Sequence, residues 1–303
     1  MTVLPRNLKR VVPIPIREHL KRFIKTTAAE RFYRRPAAAS DERQVRELSC
    51  DTDATLVIVT FNAPDLTEWQ LYALEQHFED SKLIILADNS TSMAARARIR
   101  SLAHDYGAVF RALPTPPPAK PSYSHGLALN WVHRNLLAAT QSAYIGFLDH
   151  DIFPICRVSY KERLLHQRSL GRVRQHQSYF YYWPGFSLFD RTFFGATADF
   201  RPHPIYGDTG ASNWPRYYSA LNGGNLHPCT FRDMDIDVLL GKRPDKGARS
   251  SGSMLELIDD CWVHPRNGSN WAGEGANAVL ARRRELAAVL AHYGALPAGG
   301  TLS

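Results

Sequence analysis

The chain has 303 residues, 44% hydrophobic and 22% charged, proportions that let one large α/β domain bury a core. Its formal net charge of +8 is local, because residues 1–36 hold ten Lys and Arg against two Glu and the remainder is neutral. That distribution excludes a basic nucleic-acid-binding surface spread over the domain, and no stretch reaches the roughly 18 uninterrupted apolar residues of a membrane span.

The arm comes first. No apolar core of about 7–15 residues follows its charges, so it does not read as a secretory leader. Ile16, Leu20, Phe23 and Ile24 recur at helical spacing, with Arg17, Lys21, Arg22 and Lys25 between them. This predicts a short basic amphipathic helix. Two readings stay open for it: contact with an anionic membrane surface, or a solvated extension or helix packed on the domain. Residues 36–54 read as a connector.

Thr55-Leu-Val-Ile-Val-Thr60 is a continuous β-branched run, the pattern of a parallel strand covered on both faces. Asn62, Pro64 and Asp65 break it, and Trp69, Leu71, Leu74 and Phe78 mark a helix. Lys82–Ala87 is the next strand, ending in Asp88-Asn89-Ser90-Thr91. A helix over Met93–Tyr106 and a short strand at Ala108–Phe110 follow. This alternation opens a doubly wound sheet. Pro114, Pro116, Pro117, Pro118 and Pro121 form a rigid loop. His125 opens a helix running to about Ala139, and Ala143–Leu148 is a fourth strand that ends at Asp149-His150-Asp151. Residues 152–262 mix aromatic-rich short strands with irregular segments, and Asn277–Tyr293 is an amphipathic helix with Arg282, Arg283 and Arg284 on its polar side. Cys50, Cys156, Cys229 and Cys261 form no CxxC pair. That predicts neither a zinc site nor a disulfide framework, and fits a reducing cytoplasm.

Ligands of open α/β sheets bind beyond the carboxyl ends of the strands. Polar groups stand at three such ends: Thr60 and Asn62, then Asp88 and Asn89, then Asp149 and Asp151. One acid at a strand end is ordinary turn chemistry; three successive sets are better explained by a shared cleft. Two carboxylates one residue apart offer hard oxygen ligands of the kind that suit Mg²⁺ or Mn²⁺, which in turn bridge phosphate oxygens.

With these residues in view, the chain resembles a GT-A fold glycosyltransferase of the family 2 type. The matching stretches are Val57–Asn62, Leu86–Ser90, Ser124–Asn130 and Ile145–Pro154, which cover residues 55–155 in the family's order. The resemblance implies a single GT-A domain, Rossmann-like with a mostly parallel sheet, carrying a basic N-terminal extension. The arm and linker would occupy 1–50 and the domain 51–303. Within it the donor half spans about 51–155, the acceptor half about 156–275, and a C-terminal helix 276–295.

It further implies metal-dependent, inverting transfer from a UDP-, GDP- or dTDP-sugar to a glycan or lipid-linked acceptor, by a cytoplasmic protein that can rest on the inner face of the membrane. Thr60, Asn62 and Asp88 would hold the nucleotide, and Gly126 and Asn130 would border the donor. Asp149 and Asp151 would form the DxD metal motif, with Asp149 also on the donor side. His264, in Cys261–Trp271, would add a metal or diphosphate ligand, with Arg266, Asn267 and Ser269 near phosphate.

A transfer of this kind needs a general base. Asp208, between Gly207 and Gly210, is the first choice and Asp199 the second; Asp233, Asp235 and Asp237 look like a solvated edge. Trp183 and Trp214 are candidate stacking faces for an acceptor sugar. Two alternatives stand beside the transferase. One is a non-catalytic nucleotide-sugar-binding or scaffold module on the same fold. The other is a sugar nucleotidyltransferase, disfavoured because Thr60–Asp65 contains neither glycine nor base.

Overall fold

The computed structural model describes residues 31, 33–113, 121–176, 179–202, 207–219, 227–241, 254–266 and 275–300. The predicted amphipathic helix of the arm lies outside these residues, as do four of the loop prolines, Asn267 and Ser269.

A six-stranded sheet runs in the order β3-β2-β1-β4-β7-β6. Its parallel part consists of β1 (Ala54–Thr60), β2 (Lys82–Asp88), β3 (Val109–Ala112) and β4 (Tyr144–Asp149). Then β7 (Tyr179–Asp190) pairs antiparallel with β4, and β6 (Ser169–His176) antiparallel with β7. A second, antiparallel sheet runs β5-β10-β9-β8, from β5 (Phe153–Pro154), β8 (Phe231–Asp233), β9 (Leu255–Ile258) and β10 (Trp262–Pro265).

The unbroken apolar runs follow from two-sided covering. In β1, Val57 and Val59 enter one core with Leu83, Ile85 and Ala87 of β2. Leu56 and Ile58 enter the opposite core with Ile84 and Leu86. A third core joins helix α2 (Pro64–His77) and the C-terminal helix α5 (Ala276–His292) to the second sheet, through Leu66, Trp69, Val263, Leu286 and Leu290. Arg283 of α5 pairs with Asp65 at the start of α2. Between them in the chain lie α3 (Met93–Asp105), capped by Ser92, and α4 (Pro121–Asn135). The latter starts four residues ahead of the predicted His125, with Pro121 as its first residue. A proline fits there because the first N–H of a helix has no intrahelical partner.

The connector predicted at 36–54 is largely a helix, α1 (Ala39–Ser49). Its Ala, Glu, Arg and Gln content is strongly helix-forming, while only Val45 and Ser49 of its residues are buried. That leaves too little apolar periodicity to read from sequence. The domain also begins earlier than residue 51, since Tyr33 and Val45 belong to the first core. Backbone groups of 33–37 are tied to α4: Arg134 donates to the Tyr33 carbonyl and Trp131 to that of Arg35, while the Ala37 N–H donates to Asn135. Among the described residues no helix is long and apolar enough to cross a membrane.

At the amino end of β4 a cavity of about 300 Å³ is lined by residues including His133, Arg134, Phe147, Phe189 and Phe194. The His133 ring lies 5.7 Å from Phe200 and 6.3 Å from Phe194. Burial, aided by the Arg134 charge, pushes its imidazole down to about 4. The unfolded chain, with an ordinary value near 6.5, then takes up the extra proton between pH 6.5 and 4. Stability is expected to be complete above that window and to fall as pH drops through it, by on the order of 2–3 kcal/mol. Urea denaturation at pH 7 and 4.5 checks this: His133→Phe should lose that part of the acid sensitivity.

Candidate active site

Asp149 is the last residue of β4, and Asp151 sits two residues on in a tight turn closed by the Ile152 N–H donating to the Asp149 carbonyl. Gln70 of α2, fully buried, pins this turn from below. Its amide donates to the carbonyls of Asp149 (2.7 Å) and Ile152 (2.8 Å). The His150 ring donates through Nδ1 to the Val59 carbonyl, tying the turn to β1. Both carboxylates are thereby held at one place, although neither contributes to the core.

The two acids differ in surroundings. Asp149 keeps 26% of its side-chain surface open and lies 3.5 Å from Nε2 of His125 on α4. Enclosure lifts its carboxyl above the usual carboxylate range, against the pull of His125 and with the push of the Asp151 charge. Asp151 is buried, 3.9 Å from Nε2 of His264. His264 sits on β10, in register with Glu256 of β9, and donates through Nδ1 to the Glu256 carboxylate at 2.6 Å. A carboxylate only accepts, so this bond places a proton on Nδ1 and directs Nε2 toward Asp151.

Glu256 in turn pairs with Arg172 of β6. Burial works against its charge, yet the His264 hydrogen bond and the charges of His264 and Arg172 outweigh it and hold the carboxyl below its usual value. Trp183 of β7 packs beside His264, with ring centroids 5.1 Å apart.

Two carboxylates and an imidazole whose distal nitrogen is anchored by a second carboxylate form a donor set that fits Mn²⁺ or Mg²⁺. The set is not drawn together as a finished cage. Among the described residues, no group of three or more His, Cys, Asp or Glu stands close enough to hold a metal ion.

The neighbouring strand ends meet as predicted, but their polar groups bind one another. Asp88 is fully buried; Oδ1 accepts from Thr60 Oγ1, Ser90 Oγ and the Ser90 N–H, and Oδ2 pairs with Arg96 at 2.7 Å. Asn62, in the left-handed region at φ 50°, accepts from the Thr91 and Ser92 N–H groups and donates to Thr91 Oγ1. Thr60, Asn62 and Asp88, expected to hold the nucleotide, thus knit the floor of the cleft. Phe61 between them is 48% exposed and open for contact.

Two further residues expected to border the donor lie on α4. A Cβ at Gly126 would lie 2.5 Å from the Phe200 carbonyl oxygen, so this glycine admits the 200–201 backbone. Asn130 donates to Asp199 and accepts from the Phe200 N–H, holding the same segment. Asp199 is also clasped by Arg201, and although burial works against its charge, these bonds hold its carboxyl below the usual range.

Asp208 sits in a turn between Gly207 (φ 99°) and Gly210 (φ 89°), backbone conformations that favour glycine. Its N–H donates to Tyr181 Oη, and Oδ1 accepts the Thr209 N–H. Thr209 Oγ1 donates to the Ser122 carbonyl in the first turn of α4, one helical turn before His125. Trp183 is buried, its ring covered by Arg172, Arg174 and His264. No face is left for a sugar, which corrects its predicted stacking role. Trp214, half-buried, packs edge-on against Phe180 at 4.6 Å.

Four participants escaped the sequence reading: Gln70, His125, Arg172 and Glu256. A lone Glu in the buried strand Leu255–Ile258, and a Gln inside the apolar face of α2, were the signals available. The cysteine prediction is also overturned. Cys156, just after β5, and Cys261, just before β10, form a disulfide across 105 residues. Only Cys50 and Cys229 are free. The bridge clamps the strand that follows Asp151 to the strand that carries His264, and disulfides of this sort persist in oxidising surroundings. Replacing both cysteines with serine is expected to cost about 2–5 kcal/mol in chemical denaturation.

No protein-family model matches this sequence, and no curated protein matches it. Solved structures do resemble it in part. The mannosyltransferase PcManGT from Pyrobaculum calidifontis, in complex with GDP-Man and Mn²⁺, is 13% identical with a TM-score of 0.39; the overlap covers 62% of this chain and 57% of that one. The galactosyltransferase LgtC, in complex with donor and acceptor sugar analogues, is 13% identical with a TM-score of 0.35, over 58% of this chain and 73% of that one. Glucosyl-3-phosphoglycerate synthase from Mycobacterium tuberculosis, with Mn²⁺ and UDP-glucose, is 13% identical with a TM-score of 0.29, over 52% and 62%. The present chain thus spans little more than half of the mannosyltransferase, and all three likenesses are partial.

Proposed function

We propose that this chain is a metal-dependent glycosyltransferase that moves a sugar from a nucleotide-diphosphosugar to a glycan or lipid-linked acceptor, with inversion. The observation that carries this reading is the convergence of Asp149, Asp151 and an Nδ1-anchored His264 beyond the carboxyl end of a central parallel strand. Asp149, Asp151 and His264 would hold Mn²⁺ or Mg²⁺. Bound there, the cation supplies Lewis-acid stabilisation of a leaving diphosphate.

The protein's own residues do the rest. The Thr60–Asp88–Asn62 knot keeps the cleft floor rigid, and the exposed Phe61 ring offers an apolar platform for a base. His125 keeps Asp149 in place from the α4 side. Asp208, fixed through Tyr181 and tied by Thr209 to the start of α4, takes the acceptor proton. The basic arm brings the enzyme to an anionic membrane where a lipid-linked acceptor resides.

The test is release of nucleoside diphosphate from UDP-, GDP- and dTDP-sugars with Mn²⁺, using the full chain without acceptor. Slow hydrolysis of one donor class, lost on chelation, is expected. Nucleotide binding without turnover on an acceptor panel would instead favour the scaffold reading, and pyrophosphate release from a nucleoside triphosphate the nucleotidyltransferase.

A further inference from the structure

The β6–β7 hairpin overhangs the candidate site. Leu148 of β4 faces Phe186 of β7, so residues 179–185 and their partners on β6 reach beyond the sheet edge where Asp149 ends its strand. On this overhang Arg174 pairs in register with Tyr181. The guanidinium groups of Arg172 and Arg174 lie 5.4 and 5.3 Å from the Trp183 ring. His264 packs against the same Trp183 ring, with centroids 5.1 Å apart, and shares Glu256 Oε1 with Arg172.

The two arginines are unlike. Arg172 is neutralised by Glu256. Arg174 makes no hydrogen bond or ion pair among the described residues, and its Nε is buried without an acceptor. Glu256 is shared by Arg172, His264 and Arg266, and Arg266 also pairs with Asp233; Arg172 and Arg174 stand close enough to repel each other. A guanidinium packed beside an indole ring is restrained, and its fork matches the two oxygens of a phosphate or carboxylate. A buried guanidinium N–H with no protein partner, beside a second arginine, is an arrangement completed by an anion.

We propose that Arg174 anchors an oxyanion subsite on the hairpin wall, one side chain away from His264, which takes a phosphate or carboxylate group of a ligand. This deepens the transferase reading and rests on it for the identity of the ligand. The oxyanion belongs either to the donor diphosphate or to an acceptor that is itself anionic.

Calorimetric titration of inorganic phosphate into the full chain tests this without turnover. Saturable binding is expected, weakened about tenfold or more in Arg174→Gln and less in Arg174→Lys, which keeps the charge but loses the fork. Arg100→Gln, which removes an arginine stacked on Phe110, should bind as the parent does. A repeat with Mn²⁺ and a saturating concentration of whichever of UDP, GDP or dTDP binds separates the sources. Loss of phosphate binding assigns the subsite to the donor diphosphate; retention assigns it to the acceptor. Absence of saturable phosphate binding by the parent chain, or an Arg174→Gln titration superposable on the parent, overturns the subsite. Failure of UDP, GDP and dTDP all to bind while phosphate still does would count against the transferase reading alone.

Discussion

Asp151→Ala is expected to lower Mn²⁺-dependent turnover of a nucleotide sugar by about a thousandfold, from the loss of ~4 kcal/mol of charge stabilisation at the leaving group. The same substitution is expected to leave the folded state as stable as before, or more so. Asp151 is buried beside a second carboxylate whose ionisation it opposes, and among the described residues it closes no salt bridge other than the 3.9 Å approach of His264. Its turn is held by backbone bonds and Gln70, which do not involve its side chain. A carboxylate that costs stability where it stands is retained for what it binds. Asp151→Asn, nearly isosteric, should reproduce both effects. Donor turnover at the parent rate in either variant would remove the DxD reading. A large loss of thermal stability would mean instead that the acid is part of the scaffold.

The fold was legible where burial is two-sided. The β-branched runs at 55–60 and 82–87, and the Ala143–Leu148 segment, fall within a residue of β1, β2 and β4, because strands covered on both faces have no polar positions to interrupt them. Helix α1 was illegible for the converse reason, since it adds almost nothing to the core and leaves no stripe to detect. The Cys156–Cys261 bridge depends on the pairing of β5 with β10, a contact that no local pattern in the chain announces.

The site was legible in its outline and not in its division of labour. Polar residues at three strand ends do meet, as their positions imply. Which of them face a ligand depends on side-chain partners that only the packed structure supplies. Asp88 has Arg96, Ser90 and Thr60, and is thereby consumed. Asp149 and Asp151 are adjacent acids with few donors between them, and are thereby left available. Spacing cannot separate a carboxylate that is satisfied internally from one that is not. Trp183 shows the same limit: an aromatic in a suggestive stretch reads as a stacking surface until its faces prove to be covered.

Glu256→Gln is expected to be the most destabilising single substitution in the site, by about 3–5 kcal/mol. Glu256 is 2% exposed and receives Arg172 and His264 together. Removing its charge leaves Arg172 buried beside Arg174 and Arg266 with no compensating anion, and like charges at close range in a poorly solvated place repel strongly. A catalytic consequence should accompany this one. A glutamine can offer either its oxygen or its amide nitrogen to His264, so the proton on Nδ1 is no longer fixed and Nε2 no longer held ready as a metal ligand. The Mn²⁺ concentration needed for half-maximal turnover should rise by about 10–100-fold, as is usual when the partner of a metal-bound histidine is lost. A double substitution separates the two effects. Glu256→Gln with Arg172→Met removes the stranded cation along with its partner, so urea denaturation should recover most of the lost stability. The metal requirement should stay high, because the histidine remains unanchored. Recovery of both together would make Glu256 a structural counter-ion only, and His264 a bystander to the metal.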